Sequence, residues 1–367
     1  MQTMAKKIKI AHVISSLKIG GAEAFLIDLV AALPDYEHFV VYFHDGPHLQ
    51  TLQQLGIKTY NIHGVFFRYD LFFWLRLYAQ LFRMQPDVIH SSLWVANFSA
   101  RLLGTLLRIP TVCAIHAQTA LNGSLRNFID HYTLQYAQKI ITVSATVKDS
   151  LEVFALPDEK IECIQNGIAI KKDRGSITRK QIGLNDDQFV IGAVGRFIPE
   201  KNFLQLIEAF ALVYEHNARA VLLLIGYGDQ EAALRQHAAE YGVQNSVIFL
   251  INKPAIEYYH LMDCFVQSST QEGLSIALLE AMSFGLPPIV THPNTSHDVI
   301  VNKKNGLVVP LCNTKKLSKA ILAMLQNATL KNALGQEAEK TVKYKFGIAE
   351  VAQKYKKNYD SLVKAYK

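Results

Sequence analysis

The sequence lacks the features of a disulfide scaffold, a zinc module or a membrane span. Its four cysteines, at 113, 163, 264 and 312, are scattered through apolar runs with no Cys-x-x-Cys pair. They read as reduced, buried thiols of a cytosolic protein. No run of about 18 uncharged apolar residues occurs, which argues against a spanning helix. The short basic start passes at once into a strand-like run at residue 8, leaving no room for the apolar core of a signal peptide. Gly-x-Gly-x-x-Gly is missing after that first strand, which argues against a dehydrogenase. Charged residues are only 19% against 50% hydrophobic, so the chain is packed and not disordered. The net charge of +7 suits an anionic partner: a phosphate-bearing substrate, an acidic membrane face or nucleic acid. No nucleic-acid module is recognisable, and none is expected as a partner.

What is present is alternation. Short apolar runs at 8–14, 39–43, 88–90, 111–115 and 139–143 are separated by helix-length segments, and a second series follows at 189–195, 220–225, 247–250, 264–267 and 288–290. Strands alternating with helices predict parallel sheets covered on both faces. The polar, glycine-bearing stretch 166–187 between the two series reads as a linker. The expected fold is therefore α/β, two doubly wound Rossmann-like domains facing a central cleft, over 1–170 and 171–346. In each, ligands gather beyond the carboxyl ends of the strands.

The densest chemistry lies at 266–291, which reads as strand end, loop, short helix and next strand. Glu272 falls in the loop and Glu280 in the second helical turn, with Gly273, Leu274 and Ser275 at the helix start. The free N–H groups there suit an anion, and the two carboxylates suit hydroxyls on either side of it. A nucleotide diphosphate sugar has that layout. Arg196 and Lys201 lie in the loop after the strand 189–195, where a forked and a point cation can grip a diphosphate.

The register of Glu272-Gly273, Glu280-Ala-Met and Gly285-Leu-Pro closely resembles the signature of the retaining glycosyltransferases of family 4, whose fold is called GT-B. The resemblance covers essentially the whole chain. It implies that Glu280 holds the nucleotide ribose, that Glu272 contacts the transferred sugar, and that Arg196 and Lys201 bind the diphosphate. It further implies a last helix, 347–367, packing back on the first domain. The Gly20-Gly21 turn after the first strand would border the donor phosphate and the acceptor. His116, at the end of the strand 111–115, aligns with a histidine used at sugar and acceptor. Many relatives follow that histidine with Asp where this chain has Ala117. Ser144 is expected on the acceptor side and Gly226 on the nucleotide pocket, while Asn166-Gly-Ile and Asn305-Gly-Leu-Val-Val match further family positions.

Asp-x-Asp, the usual magnesium or manganese site of metal-dependent transferases, is absent. Charge on the leaving diphosphate then falls to Arg196, Lys201 and the helix start, with no metal or other cofactor. The resemblance implies retained anomeric configuration by same-face attack. The expected function is a cytoplasmic hexosyltransferase of bacterial polysaccharide or lipopolysaccharide biosynthesis, with a nucleotide-sugar donor and a glycan or lipid-linked acceptor. A nucleotide-sugar epimerase and a non-catalytic nucleotide-binding subunit are the rival readings. Residues 65–84 are rich in Phe, Trp, Tyr and Leu, with Arg76, Gln80 and Arg83 on one helical face. Two readings stand: a buried helix with a polar stripe, or a surface that enters the bilayer edge and places the protein peripherally on the inner face of the membrane.

Overall fold

Strands buried on both faces need near-continuous apolar runs, and the computed structural model places such runs in two all-parallel sheets. It describes residues 7–63, 70–116, 125–170, 175–272, 274–292 and 299–366. The chain divides into one unit of residues 1–169 with 348–367 and another of residues 170–347.

The first unit runs β1 (Lys9–Ser16), α1 (Gly21–Ala32), β2 (Glu37–His44), α2 (His48–Gln54), β3 (Lys58–Asn61), α3 (Leu71–Met84), β4 (Val88–Ser92), α4 (Trp94–Leu107), β5 (Thr111–Ile115), α5 (Leu125–Thr133), β6 (Lys139–Thr142), α6 (Ala145–Asp149) and β7 (Ile161–Cys163). Its sheet order is β3-β2-β1-β4-β5-β6-β7. The second unit runs β8 (Phe189–Arg196), α7 (Phe203–His216), β9 (Ala220–Tyr227), α8 (Glu231–Glu240), β10 (Val247–Ile251), β11 (Cys264–Gln267), α9 (Ile276–Ser283), β12 (Pro288–His292), β13 (Leu307–Pro310), α10 (Thr314–Gln326) and α11 (Ala328–Lys345), with order β10-β9-β8-β11-β12-β13. Strand order reverses between β1 and β4 in one sheet and between β8 and β11 in the other. Each reversal opens a crevice at the strands' carboxyl ends.

Three strands exceed the ten read from sequence: β3, β7 and β13, of four, three and four residues. Each stands at a sheet edge, where one partner and a half-solvated face need no continuous apolar run. The helix within 65–84 starts at Leu71, because Asp70 caps it by accepting from the Phe72 N–H at 2.8 Å. Lys171, Lys172 and Arg174 of the linker lie outside the described residues.

The last described helix, α12 (Ile348–Tyr366), packs against α1 and β4 of the first unit. Its Tyr359 joins a buried row of imidazoles. Tyr359 Oη lies 2.9 Å from His90 Nδ1, His90 Nδ1 lies 3.2 Å from His12 Nδ1, and His12 Nε2 lies 2.9 Å from His38 Nδ1. His38 Nε2 ends the row 2.8 Å from the Leu33 carbonyl. A carbonyl only accepts, so His38 donates there and accepts at Nδ1 from His12. In neutral rings His12 Nδ1 then accepts, and His90 carries its proton on Nδ1. Burial lowers all three imidazoles, His90 to about 3.

Candidate functional site

In the second unit the reversal between β8 and β11 gathers the charged candidates. β8 delivers Arg196 at its carboxyl end, and a short turn, Pro199–Lys201, brings Lys201 back across it. Lys201 Nζ donates to Glu272 Oε1 in an ion pair whose side chains are only 18% and 13% exposed. Ser269 donates to the same carboxylate oxygen at 3.0 Å. The two loops are laced together by backbone as well. Thr270 N–H donates to the Glu200 carbonyl at 2.8 Å, and Ser268 Oγ to that of Lys201 at 2.8 Å. Arg196 is exposed and takes part in no ion pair among the described residues.

Helix α9 starts from this loop. Ser275 is its N-cap, accepting from the Leu278 N–H at 3.3 Å, which leaves the first-turn N–H groups of Ile276 and Ala277 directed out of the helix. Leu274 is buried beside the cap, and Gly273 lies outside the described residues. Glu280, one turn on, accepts from Tyr259 Oη at 2.9 Å. Burial, then the nearby Glu280 charge, holds the Tyr259 phenol well above its usual range, so it stays a donor. One tyrosine thus orients the carboxylate. Tyr259 lies in a stretch to which no motif pointed.

Gly226 has a packing reason. A Cβ there would stand 1.9 Å from the Gly195 carbonyl oxygen and 2.9 Å from Phe197, so the glycine serves the close pairing of β8 and β9. Asn305 is a buried brace, accepting from the Val301 N–H at 2.7 Å and donating to the Val299 carbonyl and to Thr341.

The first unit offers a different set. Gly20 is the N-cap of α1, and a Cβ there would meet the Glu23 carboxylate at 2.3 Å. Glu23 is buried and accepts from Ser16 Oγ at 2.7 Å. The glycine therefore makes room for an acid in the same Gly-Gly-Ala-Glu turn, beside exposed Gly21. His116 follows β5 with both ring nitrogens enclosed and without a hydrogen-bond partner among the described residues. Burial lowers its pKa to about 4, so the imidazole is neutral and can accept a hydrogen bond from a hydroxyl. Ser144 is fully buried and caps α6 by accepting from the Val147 N–H at 3.2 Å. Its hydroxyl shapes a turn rather than lying open to a ligand.

Residues 176–341 match the family described as glycosyl transferases group 1, and residues 19–172 match glycosyltransferase family 4. The capsular polysaccharide biosynthesis glycosyltransferase CapM of Staphylococcus aureus is 25% identical over 80% of this chain and 82% of its own. A UDP-Gal:alpha-D-GlcNAc-diphosphoundecaprenol alpha-1,3-galactosyltransferase of Escherichia coli is 22% identical over 99% of both chains. Among solved structures, HepE of Anabaena in complex with UDP-glucose superposes with a TM-score of 0.86 at 20% identity, over 96% of this chain and 100% of that one.

Proposed function

Because the chain belongs to the GT-B glycosyltransferases of group 1 and family 4, we propose that it is a retaining, metal-independent hexosyltransferase. It moves a sugar from a nucleotide diphosphate sugar to a glycan or lipid-linked acceptor, in the cytoplasm at the inner membrane face, for a bacterial surface polysaccharide or lipopolysaccharide. The relatives support this class, since one acts in capsular polysaccharide biosynthesis, one uses a diphosphoundecaprenol-linked acceptor, and a structural neighbour holds UDP-glucose.

The observation that carries the proposal is the gathering of Lys201, Glu272 and the α9 start at the β8/β11 reversal, with Glu280 one turn on. Glu280 takes the ribose hydroxyls, with Tyr259 fixing its carboxylate. Arg196, Lys201 and the Ile276 and Ala277 N–H groups take the diphosphate, so charge developing on the leaving group meets fixed dipoles and cations. When phosphate reaches Lys201, the Glu272 carboxylate is released from its ion pair and accepts from hydroxyls of the transferring ring. The acceptor hydroxyl attacks from the face the diphosphate leaves, passing its proton to the departing phosphate oxygen, and configuration is retained. His116 orients that hydroxyl by accepting from it.

Thermal shift across uridine, guanosine and adenosine diphosphates tests the donor half. A bound nucleotide at 100 times its dissociation constant adds about 2.7 kcal/mol. Transfer from the stabilising nucleotide's hexose to membrane-lipid extract, followed in EDTA, tests the rest. Activity that needs added magnesium or manganese refutes metal independence, and an inverted anomeric centre in the product refutes retention.

A further inference from the structure

Register puts His12 of β1 opposite His90 of β4, and His90 opposite Val112 of β5. Side chains alternate along a strand, so His116, an even number of residues past Val112, falls on the same sheet face, where the Phe25 ring of α1 meets it. Helices α1 and α12 cover that face. His12, His38 and His90 are buried there, so every N–H and lone pair on their rings has to be met. The row that starts at the Leu33 carbonyl meets all of them but one, His90 Nε2. That atom, Tyr355 Oη of α12 and both ring nitrogens of His116 are buried with no hydrogen-bond partner among the described residues. They are neighbours. The Tyr355 ring centroid lies 5.4 Å from that of His90 and 5.6 Å from that of Phe25, which lies 6.3 Å from that of His116. A charge on His116 is felt at His90.

The direction of the row decides how these four atoms can be satisfied together. Because the Leu33 carbonyl only accepts, His90 carries its proton on Nδ1 and is bare on Nε2, so Nε2 needs a donor. Tyr355 keeps its proton, since burial pushes the phenol above its usual range. Its hydroxyl makes no hydrogen bond to His90 directly. Internal water bridges such groups in protein interiors, with about three hydrogen bonds to each molecule. Water that donates to His90 Nε2 has its oxygen left to accept from the Tyr355 hydroxyl and from an N–H of His116. The order is the same for one water or a short file, because each molecule hands the direction on. A neutral imidazole that donates from one nitrogen is bare on the other.

We propose that Tyr355 and His90 are positioning residues for His116: through internal water they hold its proton on the nitrogen nearer Tyr355 and leave the opposite nitrogen bare for the acceptor hydroxyl. The tautomer of the crevice histidine is then dictated by the Leu33 carbonyl, relayed through His38, His12 and His90 and completed by α12. Ala117, the next residue in the chain, has no polar side chain with which to do the same. The inference rests on the acceptor role proposed above for His116, and its test separates the two.

Long-range proton–nitrogen correlation spectra of the full-length protein, isotope-labelled at histidine, read each tautomer directly, with His116 assigned through His116→Gln. At neutral pH His12 and His38 should be protonated on Nε2, His90 on Nδ1, and His116 should occupy a single tautomer. Tyr355→Phe keeps the ring and the helix and removes only the hydroxyl that shares the water. In that variant His116 should show the averaged shifts of mixed tautomers, and kcat should fall on the order of 10-fold with the donor KM unchanged. A hydroxyl that merely packs would leave the tautomer alone. The proposal is overturned by His90 protonated on Nε2, by mixed tautomers of His116 in the unsubstituted protein, or by a His116 spectrum that Tyr355→Phe does not change. A tautomer that shifts while turnover holds refutes the acceptor role of His116 and leaves its positioning by Tyr355 and His90 standing.

Discussion

Beside β8 and β11 a cation and a carboxylate are already paired, Lys201 on Glu272, whereas beside β1, β4 and β5 Ser16 is hydrogen-bonded to Glu23 and His116 is uncharged, with no hydrogen-bond partner among the described residues. The same parallel scaffold thus presents one crevice with a cation–carboxylate pair and one with a serine-bound acid and a neutral imidazole. A loop holding Lys201 and Glu272 together keeps both partly buried ions compensated until a ligand with its own charges replaces the pair. A neutral imidazole needs no such partner. It needs only a hydroxyl to accept from, as the acceptor role proposed for it requires.

Lys201→Ala should break that contrast most severely. It removes the cation proposed to meet the leaving diphosphate and takes from Glu272, whose side chain is 13% exposed, its ion pair with Lys201, so kcat/KM should fall on the order of 10²- to 10³-fold. Steady-state kinetics with the stabilising nucleotide's hexose reads this, and a loss under threefold would mean that Lys201 merely braces the loop.

The two carboxylates should separate next. Glu280→Ala removes charge-assisted hydrogen bonds worth roughly 1.5–3 kcal/mol each, so nucleotide affinity should drop about 10- to 100-fold by calorimetry. Glu272→Gln should leave nucleoside diphosphate affinity nearly intact while turnover falls, because its partner is the transferring ring. Equal losses in both measurements for both variants would erase the division between ribose and sugar.

Acid sharpens the comparison from the other side. An unfolded imidazole titrates near 6.5, while burial keeps His90 at about 3 and His116 at about 4, with His12 and His38 also lowered. Between those values the unfolded chain binds protons that the folded chain refuses. Stability is therefore full above about pH 6.5 and is lost as pH falls toward 4, at about 1.4 kcal/mol per pH unit for each imidazole. Urea unfolding followed by tryptophan fluorescence reports the first unit, since Trp74 and Trp94 both belong to it. Equal midpoints at pH 7 and pH 5 would contradict the buried neutral row.

The sequence made the sheets legible through strands such as β9, Ala-Val-Leu-Leu-Leu-Ile-Gly-Tyr, whose burial on both faces writes itself as one apolar run. Glu272 and Glu280 were legible because a single loop and helix carry both. The second ring of partners was not. Tyr259 reaches Glu280 across two structural elements, and His12, His38 and His90 meet only through the register of β1, β2 and β4. The row of imidazoles is a property of strand pairing, invisible to spacing along the chain. Residues 65–84 admitted two readings because α3 packs one apolar stripe inward and leaves another exposed.

The placement of α12 bears on how the molecule is made. Tyr355 and Tyr359, fully buried on the first unit's sheet, follow residues 170–347 in sequence. At about 5–20 residues per second of synthesis, the amino-terminal half waits on the order of 10 to 40 seconds on the ribosome with its imidazole face uncovered. During that interval water or a chaperone must cover what α12 will later bury. A nonsense codon anywhere between residues 170 and 347 would therefore damage the part of the protein translated first, even though every residue of its sheet had already been made.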